Sequence, residues 1–389
     1  MKILYLHIGT PKTATTAIQT FCFHNRPALE SHGFCYARMG KGFSYPGTGG
    51  ARNGRFLTTW LYDEEGNRRK EEEEWRFKNG LLRLEEQFRT FDRLIVSDEG
   101  IWIGALVRRP TLWEELKNWS EHAGVQIQVI VYLRRQDQFL ESQWNQQVKH
   151  LKGTQGWAAY RKKHMKAPEL DYWAALNRIS DVFGQENIVV RRFQKADFVG
   201  GSILSDFLSV LGLKLTENYD MSSQRERQNT RLEGNLTELK RVTNSLRDLS
   251  REEEQFLKGA ALRCSVPARK AYRCDMQTPE EAQSLIRPFE EGNERVAETW
   301  LKDGAPLFNQ SFSDAPKWKK DNPWLLDDAV RYSAMTDVLL LRRIEALEEE
   351  VRLDRRENEL LKKDLKHPLR TILRKLRRFF RQVGGTRNG

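Results

Sequence analysis

Short, continuously apolar runs alternate along the chain with longer amphipathic stretches, the pattern of strands feeding helices. The runs are KILYLHI at 2–8, FCYAR at 34–38, RLIVS at 93–97, VQIQVIVYL at 125–133 and NIVVRR at 187–192. Dense in Val, Ile and Leu, they predict strands buried on both faces, as in a parallel sheet. Helical spacing predicts helices at about 16–29, 69–91, 110–122, 137–150, 169–181 and 198–210, with Pro110 tolerated in a first turn. The alternation implies an α/β domain in three layers, helices covering both faces of a central parallel sheet. From 231 onward only helical periodicity appears, at 232–249, 251–262 and 278–301. This half is read as packing on the same core, so the domain spans 1–315.

The segment SFSDAPKWKKDNPW at 311–324 marks a break in the pattern, and residues 316–336 read as a linker. At 337–366 the residues Leu340, Ile344, Leu347, Val351, Asp354, Asn358, Leu361 and Leu365 follow alternating gaps of four and three. That is a heptad seam with two polar positions, and it predicts a coiled coil able to join two copies of the chain. The seam continues through Leu369, Ile372, Leu376, Phe379 and Val383 in a basic tail, 367–389, with Pro368 as the interruption.

Charge changes the picture mainly at that end. The 389 residues carry a formal net charge of +11, and residues 362–387 hold ten Lys or Arg against one Asp, which is +9 of it. The rest of the chain is nearly neutral, so its basic pI is no sign of nucleic-acid binding. A basic helix with one apolar stripe at 365–383 suits an anionic membrane surface, a polyanionic acceptor, or a solubilising end to the coiled coil. No apolar run is long enough to span a bilayer. The first apolar run passes straight into a polar loop, so it reads as a strand and not as a signal peptide. Four cysteines without a CxxC pair fit a reducing cytoplasm, and neither a zinc nor another metal-ligand pattern is present.

The candidate chemistry begins at HIGTPKTATT. A loop leaving a buried strand and opening a helix offers N–H groups to an anion, with Lys12 as a point charge and Thr13, Thr15 and Thr16 as hydroxyl donors. It is not a Walker A loop, because Lys12 lies only three residues after Gly9 with no second Gly before it. Pro11-Lys12-Thr13-Ala14-Thr15-Thr16 resembles the 5'-phosphosulfate loop, PKxGTT, of the sulfotransferases that use 3'-phosphoadenosine-5'-phosphosulfate (PAPS). Ala14 stands where that family has Gly, which matters where the backbone needs positive φ.

A second match lies downstream. Sulfotransferases follow a buried strand with an Arg and, eight residues later on a helix, a Ser, the two binding the donor's 3'-phosphate. Here VQIQVIVYL ends at Arg134 and Ser142 lies eight residues on; Arg135 and Gln136 replace the family's usual Asn and Pro. The segments 187–213 and 289–301 are similar to bacterial polysaccharide-type members, and the likeness covers about residues 1–310. The resemblance implies a P-loop-type three-layer fold, PAPS as the donor, no metal, and a carbohydrate hydroxyl on a cell-surface or capsular glycan as acceptor. It also implies that Lys12 meets the charge developing on the leaving oxygen. Arg192, leaving the neighbouring strand, either reaches the nucleotide or forms a salt bridge.

The acceptor's proton needs a base. The family uses either His or Glu, and the Glu of its heparan-sulfating branch lies early on the first helix, where this chain has Gln19 and Thr20. Glu99, leaving the strand RLIVS at the ligand-binding edge, is the candidate, with Asp98 the competitor. His7 either orients a phosphate or is packed beneath the loop. Trp60, Tyr62, Trp102, Trp144 and Trp157 are candidates for stacking on sugar rings. Two other functions are weighed: an inactive sulfotransferase-like scaffold in glycan assembly, and a P-loop-type small-molecule kinase, which the loop pattern disfavours.

Overall fold

A computed structural model describes residues 1–40, 43, 51–150, 152–222, 232–246, 249–264 and 274–366. Five strands, β1 (Lys2–His7), β2 (Phe34–Tyr36), β3 (Arg93–Ser97), β4 (Val125–Leu133) and β5 (Ile188–Arg192), form one sheet in the order β2-β3-β1-β4-β5. All four neighbouring pairs are parallel. Residues alternate between the two faces of a strand. Leu4, Leu6, Val96, Val129 and Val131 therefore enter one hydrophobic core, and Tyr5, Ile95, Ile130 and Tyr132 enter a second on the opposite face. Burial on both sides is why the strands read as continuous apolar runs.

The connection from β1 leads to β2 and the connection from β4 leads to β5, in opposite directions across the sheet. The C-terminal ends of β1 and β4 thus flank the switch point at which open α/β sheets hold ligands.

Several helices differ from the sequence expectation for local reasons. The stretch 16–29 divides into Thr15–His24 and Arg26–Ser31. At the break the Asn25 amide donates to the carbonyls of Phe21 (3.0 Å) and Asp220 (2.9 Å), and Pro27 sits in the first turn of the second helix, where its missing N–H costs nothing. Gly100–Val107 and Trp157–His164 are further helices, one almost wholly apolar and both only two turns long, too short to show a period. The stretch 278–301 is interrupted at Pro288, between Pro279–Ile286 and Glu290–Val296.

The chain forms two compact units, one of residues 1–247 and 268–322 and the other of 248–267 and 323–389. This corrects two expectations. The helix Arg251–Cys264 belongs to the second unit, where it packs on the 42-residue helix Leu325–Lys366; the Tyr332 hydroxyl donates to the Leu257 carbonyl at 3.2 Å. Residues 316–336 are not a linker throughout. Lys317 pairs with Glu281 at 2.6 Å, and Trp318 donates through its indole to Asn235 at 2.7 Å and through its backbone to Asp275, holding this stretch to the first unit, while the long helix has begun by Leu325. Among the described residues no helix is long and apolar enough to cross a membrane. The tail 367–389 and residues 41, 42 and 44–50 of the glycine-rich segment GKGFSYPGTGGARNG (40–54) lie outside the described residues.

Candidate functional site

The loop after β1 stays docked on β4 before it turns into the helix Thr15–His24. Ile8 N–H donates to Ile130, Thr10 N–H to Tyr132 and Tyr132 N–H to Gly9, so the loop leaves from the middle of the sheet edge. Thr10 and Thr13 are fully buried, and the Thr13 hydroxyl donates to the Thr10 carbonyl at 2.6 Å. Thr13 therefore braces the loop with its proton instead of offering it to an anion. Thr15 is occupied as well, its hydroxyl donating to the Glu99 carboxylate. What faces outward is Lys12, the exposed Thr16 and the start of the helix, whose first N–H groups, of Thr15 and Thr16, have no acceptor among the described residues.

Two loop residues other than glycine adopt left-handed backbone, Lys12 at φ 70° and Ala14 at φ 57°. Ala14 is the residue at which φ above zero was at issue, and it pays the steric penalty of its Cβ, about 1 kcal/mol. Strain of this kind persists where surrounding bonds over-determine the backbone, and it recurs at ligand-binding loops. Gly9, at φ 93°, has no such freedom to lose: a Cβ there would lie 3.0 Å from the Glu99 Cβ and 3.1 Å from its Cα. The glycine lets Glu99 approach the loop.

Asp98 and Glu99 leave β3 in different environments. Asp98 is fully buried; its carboxylate takes a two-pronged ion pair from Arg52, at 2.6 and 2.8 Å, and the Gly100 N–H at 2.6 Å. Burial raises its pKa against the pull of Arg52. Every route to it is filled, which removes Asp98 from the catalytic candidates and makes it the holder of Arg52. Glu99 faces the loop. It accepts from the Gln19 amide at 2.8 Å and lies 3.4 Å from the same Arg52 guanidinium. Burial raises the Glu99 pKa, but Arg52, Gln19 and Thr15 more than reverse this and hold it below the usual carboxylate value. It is an anion at neutral pH.

Lys12 and Arg134 complete the cluster. Arg134 donates to the Lys12 carbonyl at 3.2 Å, and the Tyr172 hydroxyl donates to the Arg134 carbonyl at 2.6 Å, fixing the backbone beyond β4. Burial, then the charge of Arg134, lower the Lys12 pKa, while Glu99 raises it. These effects put the two cations and the carboxylate within one field. His7 lies beneath, fully buried, its Nδ1 2.8 Å from the Ser97 hydroxyl and its ring edge-on to Tyr132. Burial lowers its pKa to about 4, so it is a neutral packed ring. Its Nε2 has no partner among the described residues.

Beside Arg134 opens a cleft of about 280 Å³ lined also by Gln138, Glu141, Gln277, Thr278 and Phe312. Ser142 lies on the helix Gln136–His150, half-buried and outside that lining. Arg135 is closed by Asp137 at 2.8 and 3.0 Å and by the carbonyls of Asn309 and Ser311, so it anchors the 309–312 segment. Arg192 is likewise committed. It pairs with Asp303 at 2.5 and 2.9 Å and donates to the carbonyls of Ala305, Pro306 and Leu307. This removes Arg192 from the nucleotide-binding candidates in favour of its salt bridge. Trp102, Trp144 and Trp157 are buried in the cores, which leaves Trp60 and Tyr62 for the surface; the Trp60 ring carries the Arg68 guanidinium at 4.6 Å. Among the described residues no cluster of His, Cys, Asp or Glu could hold a metal ion.

Sequence reasoning missed Arg52 and the role of Gln19. Arg52 sits at the end of a glycine-rich stretch with no periodicity, yet Asn53 beside it ties that stretch to the sheet by donating to Ala37 and Ile95 and accepting from the Ser97 N–H. A lone Arg-Asn after a glycine run was the available signal.

No protein-family profile matches the chain, and no solved structure matches it. An uncharacterized protein of Archaeoglobus fulgidus is similar to it, 25% identical over 182 residues, covering 43% of this chain and 44% of that protein. The chain thus spans less than half the length of this curated relative.

Proposed function

We propose that this chain transfers a sulfuryl group from PAPS to a hydroxyl of a carbohydrate acceptor by in-line displacement, on a three-layer fold of the P-loop type. The observation that carries the reading is the convergence of Lys12, Arg134 and Glu99 around one helix N-terminus at the sheet's switch point. In this reading the loop Pro11–Thr16 receives the 5'-phosphosulfate on its N–H groups and on Lys12. Arg134 and Ser142 take the 3'-phosphate. The acceptor oxygen bonds to sulfur as the sulfur–oxygen bond to the 5'-phosphate breaks, Glu99 receives the hydroxyl proton, and Lys12 meets the negative charge left on the phosphate oxygen.

Glu99 comes from β3, yet its carboxylate is hydrogen-bonded to Gln19 of the first helix. The heparan-sulfating relatives carry their Glu early on that helix, so the two arrangements bring a carboxylate to neighbouring positions from different elements. Gln19 orients it, and Arg52, held by Asp98, keeps it ionised. A cytoplasmic enzyme with the basic tail at the inner membrane face suits a growing cell-surface glycan as acceptor.

The test is a screen of carbohydrate acceptors with labelled PAPS in the presence of EDTA. Label transfer to a saccharide is expected. No transfer from PAPS, with ATP- and magnesium-dependent phosphorylation of a small molecule in a parallel assay without EDTA, would favour a kinase instead.

A further inference from the structure

Beyond residue 338 the helix Leu325–Lys366 carries a row of large apolar residues that its own unit leaves bare. Leu340 is 50% exposed, Ile344 43%, Leu347 41%, Val351 47% and Leu361 52%. The neighbouring helix Arg251–Cys264 makes its hydrogen bonds with this helix at Arg331 and Tyr332, near the other end. This exposed part of the helix is about 40 Å long, and helical stability in proteins comes mostly from packing an apolar face rather than from propensity. The identity of each position on the seam states what covers it.

Taking Ile344 as position a of the heptad, Ile344, Val351, Asn358 and Leu365 fall at a, and Leu340, Leu347, Asp354 and Leu361 at d. Branched Ile and Val at a with Leu at d favour two strands over three or four. A single Asn at a fixes register, because it is satisfied when it faces its own copy. The flanking charges are independent of that pattern. In a parallel, in-register pair each g position meets the e position five residues on in the other helix. Here those pairs are Arg343 with Glu348, Glu350 with Arg355, and Glu357 with Lys362, opposite in sign all three times. By contrast, the ion pair within the segment 340–365, Arg352 to Glu349 at 2.7 Å among the described residues, joins positions b and f, away from the seam.

We infer that the segment 340–365 pairs with a second copy of itself as a parallel, in-register two-stranded coiled coil. Six ion pairs flank the seam, counting both halves of the symmetric dimer. Asp354 at d is the one opposed position, two like charges facing each other, with Arg355 at the adjacent e positions to soften them. The parallel sense has a consequence: both chains leave the coil at Lys366 side by side, so two copies of the basic segment begin at one end.

The test uses the full chain. Sedimentation equilibrium in the micromolar range should give twice the 45.6 kDa of one chain. Leu340→Cys, at a seam position that faces itself only in a parallel in-register pair, should form a disulfide-linked dimer under mild oxidation; Arg342→Cys, at the outer position f, should cross-link at least ten times more slowly. The unaltered chain, whose half-exposed Cys274 is the accessible thiol, controls for background. Asp354→Leu should lower the dimer dissociation constant at least tenfold. Glu350→Arg should raise it, and Glu350→Arg combined with Arg355→Glu should restore it. A monomer throughout the micromolar range would leave the seam to a partner of another sequence and overturn the inference. Equal cross-linking at 340 and 342, or a failure of the double variant to restore pairing, would overturn the parallel register. None of these readouts depends on sulfuryl transfer.

Discussion

The two halves of the sheet's C-terminal edge treat charge in opposite ways. Past β4 and along β5, Arg135, Arg191 and Arg192 each meet a carboxylate of the same unit, Asp137, Asp206 and Asp303, and these arginines also secure segments elsewhere in the chain. Between the C-terminal ends of β1, β3 and β4, Lys12 has no ion-pair partner among the described residues and feels Arg134 and Glu99 through space. One half of the edge is closed by its own counter-ions; the other also holds an internal pairing, of Arg52 with Asp98 and Glu99, but leaves Lys12 without an ion-pair partner among the described residues. Cations leaving parallel strands look alike in sequence. Only the long-range partner separates a structural arginine from one able to receive a phosphate.

The sharpest way to break this contrast is to remove the open charges. If the proposed sulfuryl transfer is right, Lys12→Ala should lower its turnover by ~100-fold or more, since it removes the charge assigned to the leaving oxygen. Glu99→Gln preserves size and polarity but not the proton acceptor, so it should lower turnover by at least ~100-fold with donor affinity nearly unchanged, as single-turnover and binding assays would separate. A ~100-fold loss in Asp98→Asn, with Glu99→Gln near normal, would move the base to the buried carboxylate.

Acid titration probes the floor of the open half. His7 has its folded pKa lowered to about 4 from an ordinary 6.5. As pH falls below 6.5 the unfolded chain takes up the proton first, so stability is lost between pH 6.5 and 4. A gap of this size amounts to about 3 kcal/mol. Urea unfolding across that window should show a steep slope that flattens in His7→Phe; identical slopes would mean that the buried ring does not titrate in this way.

Arginine deletions compare the halves directly. Arg134→Ala should weaken donor binding by about 1.5–3 kcal/mol through a lost charge-assisted contact, with little loss of stability. Arg192→Ala should do the reverse, costing about 2 kcal/mol of stability by orphaning Asp303 and three carbonyls while leaving donor affinity in place. The smallest effect is expected at Ala14. Ala14→Gly relieves left-handed strain but frees the unfolded chain, so thermal stability should rise by no more than about 1 kcal/mol.

The strands were legible because burial on both faces leaves an unmistakable apolar run, and the loop and Arg134 because they follow those runs directly. Local order was enough for both. Arg192 stayed undecided between nucleotide and salt bridge for the opposite reason, its partner Asp303 lying 111 residues away, beyond any local pattern. Separation along the chain also hid Arg52, which acts on Asp98, 46 residues on, and on Glu99 from a stretch without periodicity. Helical periodicity located Arg251–Cys264 but carried no information about which unit it joins.

The central claim is that the open half of the edge holds a nucleotide bearing both a 5'-phosphate and a 3'-phosphate. Isothermal titration of the full chain with 3'-phosphoadenosine-5'-phosphate, beside adenosine 5'-phosphate, tests it most directly. The account predicts micromolar binding of the first and at least tenfold weaker binding of the second, the difference shrinking in Arg134→Ala. Equal affinities, or no binding of either up to millimolar concentration, would contradict it.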